Sequence, residues 1–396
     1  TNGDPPNASV RVTLQGVVSN RSGVGANVPL RAGSLRARFD TSAATPAAAP
    51  ADIVFGLGKR IGADVTRVIW PSGVLQAEVP ASPSTESGAP MYLQSPLTVQ
   101  ELDREPSSCP LLYTWNGTRF EFVTDFLGAG EMGYWRGPGD IPSPDPVEYI
   151  RIRGDQLIPR DGLLEVRVTN ELEEAVFLDR FELFAWAHPA GLEVYPNEGM
   201  TEPAKPHREY AVNNLRVPIR AVEDDGTDVT NRIERMDRVY PDAFALKAIR
   251  GYAEPHTLTL DLGRLEKPSV LLLTGWTSYA FSSDNVAAHQ AGLSLRPPIL
   301  EAKTRQGLWR SVVDVGIPVG RPQTIAIDLS EHLMPGEHEI RISTNMRVYW
   351  DRILVGDRAP MDQVAEDVLL PMVAMLDHRG FSAELRPNNP LRTVYD

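Results

Sequence analysis

Apolar and polar residues alternate along much of this chain, the pattern of strands with one buried and one wet face. It runs through "SVRVTLQGVV", "ADIVFGLG" and "VTRVIWPSGVLQAEV" before residue 80, with a polar turn at "SNRSGVGANV". From Cys109 the segment "CPLLYTWNGTRFEFVTDF" places Asn116-Gly117, residues suited to a tight hairpin, between two aromatic-rich arms. "VEYIRI", "GLLEVRVTNEL" and "AVFLDRFELFAWAHP" continue as strands. A second series opens with "HTLTLDLGRL" and the unbroken apolar run "SVLLLTGWTSYAF", as expected of a strand buried on both faces. The hairpin "PPILEAKTRQGLWRSVV", then "QTIAIDLS" and the long "HEIRISTNMRVYWDRILV" complete it. Helical spacing is scarce. It predicts a short helix in "VTNRIERMDRVYPDAFALKAI", with Ile233, Met236 and Val239–Tyr240 as its stripe, and a capped turn at "NVAAHQ"; in the tail, Val364 to Met375 forms an amphipathic segment.

Composition sharpens this into an all-β expectation with few short helices. A chain of 396 residues exceeds one hydrophobic core, and 34 Pro with 31 Gly favour many turns. The expected order is a small β domain at 1–80, a Pro/Ser-rich linker at 81–108, an antiparallel sandwich at 109–256, a jelly roll at 257–356 and a docking arm at 357–396. The formal charge of −13, without any Lys/Arg block, argues against a nucleic-acid or anionic-membrane partner. Cys109 is the single cysteine, so no internal disulfide forms, and a zinc site would draw on seven scattered histidines. The longest apolar cluster, Val368–Leu376, is broken by Pro371 and does not span a membrane. The chain opens at Thr1 and stops in mid-pattern at "LRTVYD", which suggests that both ends continue into a longer protein.

Three ordered motifs, "VTLQGVVSNRSGVGANV", "FGLG" and "RVIWPSGVLQ", resemble the ASPIC/UnbV domain, which commonly follows FG-GAP or VCBS propeller repeats. The stretch "RARFDTSAATPAAAPAD" departs from it, with Ala and Pro where the family usually has a Gly-rich hairpin. From "CPLLYTWNG" through "YWDRILV" to "RGFSAEL" the chain resembles the carboxy-terminal region that accompanies such domains in large bacterial proteins, and 257–356 resembles a galactose-binding-like jelly roll. The resemblance implies an extracellular, periplasmic or cell-envelope protein. It transfers no catalytic residue.

Few residues carry chemistry by their spacing. Gly56-Leu57-Gly58-Lys59-Arg60-Ile61-Gly62 imitates a phosphate loop but has no Ser/Thr after the lysine and precedes a strand. Asp179 and Arg180 neighbour His188 but point to opposite sides of a strand, with no nucleophile beside them. "EDDGTD" crowds Asp224, Asp225 and Asp228 around a glycine, a weak calcium candidate that lacks EF-hand spacing and reads better as a solvated hairpin turn. In "NMRVYWDRILV" parity puts Met346, Val348 and Trp350 on the core face and Arg347, Tyr349 and Asp351 on the other, either a ligand-binding face or a solvated one. A bulge at "STN" would exchange the faces. The loop "GWTSYAFSSDNVAAHQ" adds Tyr279, Asp284, Asn285 and His289, as ligand contacts or as helix cap and loop fasteners.

No cofactor is expected beyond the calcium candidate. The leading expectation is a non-enzymatic binding or assembly module whose partner is another protein or a larger assembly. The alternative is a carbohydrate-binding or carbohydrate-active protein with its site on the 257–356 sandwich.

Overall fold

A computed structural model of the chain describes residues 7–376, except 18, 43–51, 72–74, 79–91, 94, 102–108, 129–132, 171–175 and 321, together with 384–385 and 394–395. The Ala/Pro stretch and most of the expected linker lie outside these residues, as does the end of the expected arm. The described chain is built from strands and carries a single α-helix. It forms two compact units, Thr1–Ser108 with Asn170–Val176 and Ala374–Ala383, and Cys109–Thr169 with Phe177–Val373 and Glu384–Asp396.

In the first unit, β1 (Ala8–Gln15), β2 (Asn27–Ala32), β3 (Leu35–Asp40), β4 (Asp52–Gly58), β5 (Val65–Ile69), β6 (Leu75–Glu78) and β7 (Leu97–Gln100) make two sheets, β4-β1-β7 and β3-β2-β5-β6. Alternate residues of β1, β2, β4 and β5 point into one core with Trp70. The first turn is held by Asn20, whose side chain both accepts from the Val24 N–H and donates to the Val24 carbonyl, each at 2.8 Å. Gly23 there has φ +59°, and a Cβ on it would lie 2.9 Å from Leu14 and 3.1 Å from Trp70. Only glycine fits both the left-handed backbone and the contact. Trp70 donates its indole N–H to Gln76 at 2.9 Å, which satisfies the one polar atom of a buried ring. The composition of 81–108 concealed an element. Its segment "LTVQ" is β7, paired parallel to β1 through Val12–Leu97 to Gln15–Gln100, and buried Glu101 just after it accepts the Val17 and Ser19 N–H groups at 2.7 Å each.

In the second unit the strands are β8 (Leu111–Trp115), β9 (Phe120–Asp125), β10 (Val166–Thr169), β11 (Leu183–Ala187), β12 (Leu192–Pro196), β13 (Glu209–Arg216), β14 (Arg220–Glu223), β15 (Tyr252–Asp261), β16 (Ser269–Ser278), β17 (Ile299–Lys303), β18 (Trp309–Asp314), β19 (Gln323–Asp328), β20 (Glu339–Ala359) and β21 (Ala365–Leu369), with helix α1 at Ser282–Gln290. The Asn116-Gly117 hairpin forms as its residues require, with Asn116 Oδ1 accepting the Thr118 and Arg119 N–H groups at 3.0 Å each. The 21 residues of β20 organise the rest. Its first half pairs with β15 on one side and β17 on the other, and its second half with β16 and β13. Residue 256, where the sequence pattern separates two sandwiches, lies inside β15, and Ala221, Val229 and Ile233 share one core with Leu258, Leu271, Ile340 and Val355.

Four expected segments differ. The helix expected after Val229 is a single 3-10 turn, Thr230–Arg232, followed by irregular chain. Ile233 and Tyr240 are buried separately, in different clusters, so their helix-like spacing served tertiary packing. "VEYIRI" joins no ladder, and among its described residues "AVFLDRFELFAWAHP" is a strand only at Leu183–Ala187. The amphipathic segment from Val364 is β21, paired antiparallel with β11 from Leu183–Leu369 to Ala187–Ala365.

Candidate functional site

The polar face of β20 is where the sequence left two readings open. Residue by residue, its side chains fasten neighbouring chain. Arg341 grips Glu301 of β17 with two hydrogen bonds of 2.7 and 3.1 Å. Asn345 accepts the Arg296 N–H at 2.8 Å and donates to the Ser294 carbonyl at 2.9 Å. Arg347 spends its guanidinium on the carbonyls of Lys247, Ile249 and Tyr252, at 2.6 to 3.1 Å. Tyr349, 5% exposed, stacks on Trp276 at 4.8 Å between ring centroids, with Tyr240 and Phe244 at 5.7 and 5.4 Å. Its ring therefore lies inside an aromatic cluster rather than forming an open platform.

The face changes at Asp351. Thr274 of β16 is opposite Arg352 and Gly275 is opposite Trp350, so Asp351 is the extra residue of a β-bulge. The core-facing parity changes there: Ile340 through Trp350 enter the main core at even positions, Ile353 and Val355 at odd ones. The exchange anticipated at "STN" occurs seven residues later by the numbering of its centre. Glycine at 275 is required, because a Cβ would stand 2.3 Å from the Tyr349 carbonyl oxygen.

Asp351 is 3% exposed, and its Oδ1 accepts the successive N–H groups of Asp237 and Arg238 at 3.2 and 2.8 Å. Arg238 has φ +61°, an unusual conformation for a residue with a side chain, at the turn that aims both amides at one oxygen. Oδ2 has no hydrogen bond among the described residues. Burial pushes the carboxyl up to about 6, against the lowering effect of the two amide bonds. Asp351, Met236, Asp237, Arg238 and Pro322 line a pocket of about 270 Å³. Sequence spacing singled out Asp351 but not the other four, because they come from an irregular segment and a loop more than 80 residues apart.

The other predicted residues are placed as fasteners. Asp284 accepts the Phe281 N–H at 2.9 Å at the start of α1 and lies 3.8 Å from Arg250. Asn285, fully buried, accepts from the Tyr252 hydroxyl at 2.8 Å and donates to the Tyr134 hydroxyl and Trp135 carbonyl. His289 meets Trp135 edge-on at 6.0 Å, and the Tyr279 hydroxyl lies 3.6 Å from Cys109 Sγ. Tyr252 bridges this group and Arg347, through its hydroxyl to Asn285 and its carbonyl to Arg347. In the acidic turn, Asp224 accepts the Thr257 N–H at 2.8 Å, Asp225 that of Thr227 at 2.8 Å, and Asp228 the Thr230 hydroxyl at 2.6 Å and Arg220 Nε at 3.1 Å. Among the described residues no group of three or more His, Cys, Asp or Glu is arranged to hold a metal ion.

One carboxylate had no signal in the sequence. Glu198, 8% exposed, accepts from Gln323 Nε2 at 2.9 Å through one oxygen, while the other has no hydrogen-bond partner among the described residues. Burial first, then the charges of Glu148 and Asp145, hold its carboxyl well above the usual range.

Comparison with known proteins bears on the first unit. No curated protein matches the chain. The sequence model of the ASPIC and UnbV family matches residues 16–84, a span holding the Asn20 turn, β2 to β5 and Trp70. The chain thus carries an ASPIC and UnbV domain in its amino-terminal part.

Proposed function

We propose that this chain is a non-enzymatic binding or assembly module of a larger FG-GAP-associated protein, working outside the cytoplasm or at the cell envelope through contacts with another protein. The observation that carries the reading is the ribbon β11–β21. Neither strand has a second neighbour among the described residues, so both outer edges can accept a further strand. Every residue of β21 is exposed, and Phe177, Leu370, Met372 and Val373 on and beside the ribbon are 84%, 65%, 85% and 71% exposed. Large apolar side chains left this exposed around a ribbon with open edges favour an interaction site. Asp179, Glu182, Glu366 and Asp367 interleave it with only Arg180 opposing them, which favours an extended apolar segment flanked by basic residues as the occupant.

The test is native mass spectrometry and size exclusion of the full-length protein from its source, beside a Leu370→Asp, Met372→Asp double variant. A stoichiometric protein complex that the double variant loses supports the reading. A monomer in both cases, or a complex indifferent to the substitutions, overturns it.

A further inference from the structure

The pocket at the β20 bulge stands apart from the ribbon and has its own chemistry. From the geometry we infer that it takes a cationic group on a short alkyl stem, an ammonium or a guanidinium, seated on Oδ2 of Asp351. Four observations converge. Asp351 is held rigidly, with Oδ1 fixed by two backbone N–H groups and Oδ2 left without a hydrogen bond among the described residues. An ionised carboxylate only accepts, so its natural partner is a donor, and a cationic donor makes the stronger bond. Among the described lining residues two carboxylates, Asp237 and Asp351, face one guanidinium, Arg238, so the lining carries a net negative charge. Met236 and Pro322 supply the apolar wall along which an alkyl stem packs while its head is charged. The volume, about 270 Å³, is below the roughly 300–1,000 Å³ of pockets for drug-sized ligands and suits a group the size of one side chain.

A soluble amine and a lysine or arginine of a partner protein share this chemistry, and the test separates them. The full chain is titrated calorimetrically at pH 8 with n-butylammonium, n-butylguanidinium, 1-butanol, and the N-acetyl methylamides of lysine and arginine. One saturable site for at least one cation, no saturation by 1-butanol, and affinity about tenfold weaker or more in Asp351→Asn and in the pocket-filling Met236→Trp are expected. Binding of the amino-acid amides at least as tight as that of the free cations assigns the site to a protein side chain, and binding of the free cations alone assigns it to a soluble amine. Absence of saturable cation binding below about 10 mM, or an unchanged dissociation constant in Asp351→Asn, overturns the inference.

Discussion

Replacing Asp351 by Asn should stabilise the second unit at neutral pH. The substitution keeps an acceptor oxygen for the Asp237 and Arg238 amides and removes a buried charge. In the folded chain the carboxyl sits at about 6 against an ordinary value of 3.8, chiefly through burial. The folded state therefore holds the proton more tightly than the unfolded one. Stability from this group is greatest below the ordinary value, falls as pH rises through the interval, and stays low above about 6. A rise of that size corresponds to about 3 kcal/mol. Urea unfolding, read by pulsed alkylation of the buried Cys109 in the same unit, gives the free energy at pH 4, 5, 6 and 7.5. Because pH 4 is already slightly above the ordinary value, the wild-type curve should lose about 2 kcal/mol relative to Asp351→Asn between the lowest and highest pH. Parallel curves would show that the carboxyl is not destabilised by burial, and the argument would fail. If the variant also loses cation binding, the charge is kept at a cost in stability for the sake of the ligand.

Other outcomes follow from the same geometry. Glu198→Gln should flatten the fall in stability with rising pH, because it keeps the acceptor for Gln323 and removes a carboxylate whose charged form is disfavoured by burial; urea titrations across pH test this. Gly275→Ala should cost about 3 kcal/mol or more, since the new Cβ meets the Tyr349 backbone oxygen, and β16–β20 amides should lose protection from hydrogen exchange. Gly23→Ala should destabilise the first unit by about 2 kcal/mol through the left-handed backbone and crowding of Leu14 and Trp70, visible as an earlier loss of Trp70 burial in denaturant. Leu370→Asp should change stability by less than about 0.5 kcal/mol, because its side chain is largely in solvent, so its effect on assembly would be a binding effect.

The strands that the sequence disclosed best were those with one dominant signal. β16 is an unbroken apolar run, β17–β18 is a hairpin around Gly307, and β8–β9 turns at Asn116-Gly117. Parity placed Trp350 in the core correctly because β20 is regular up to that residue. It did not show Tyr349 covered by Tyr240 and Phe244, since those rings come from a segment whose spacing imitates a helix while buried Tyr240 and partly buried Phe244 pack on distant rings. The bulge at Asp351 was hidden for a similar reason: it is fixed by Gly275, 76 residues earlier, and a glycine in an apolar run has several meanings. Motif spacing suggested a metal turn at Asp224, Asp225 and Asp228; in the structure Asp225 and Asp228 accept from Thr227 and Thr230 two residues on, while Asp224 accepts from Thr257 of β15, a partner 33 residues away that no local pattern announces. Glu198 is legible only through its partner Gln323, which no local pattern connects to it.

The length and position of β20 also set an order of events during synthesis. β17–β18 pair across a short turn, but β15 and β17 both need an edge of β20, as do β13 and β16. On a ribosome the strands up to about residue 338 would wait with exposed apolar faces until the 21-residue strand emerges and pairs with all four partners. The second unit is thus a structure that closes from its carboxy-terminal side, and a nascent chain stalled before Glu339 should be the form most dependent on chaperones.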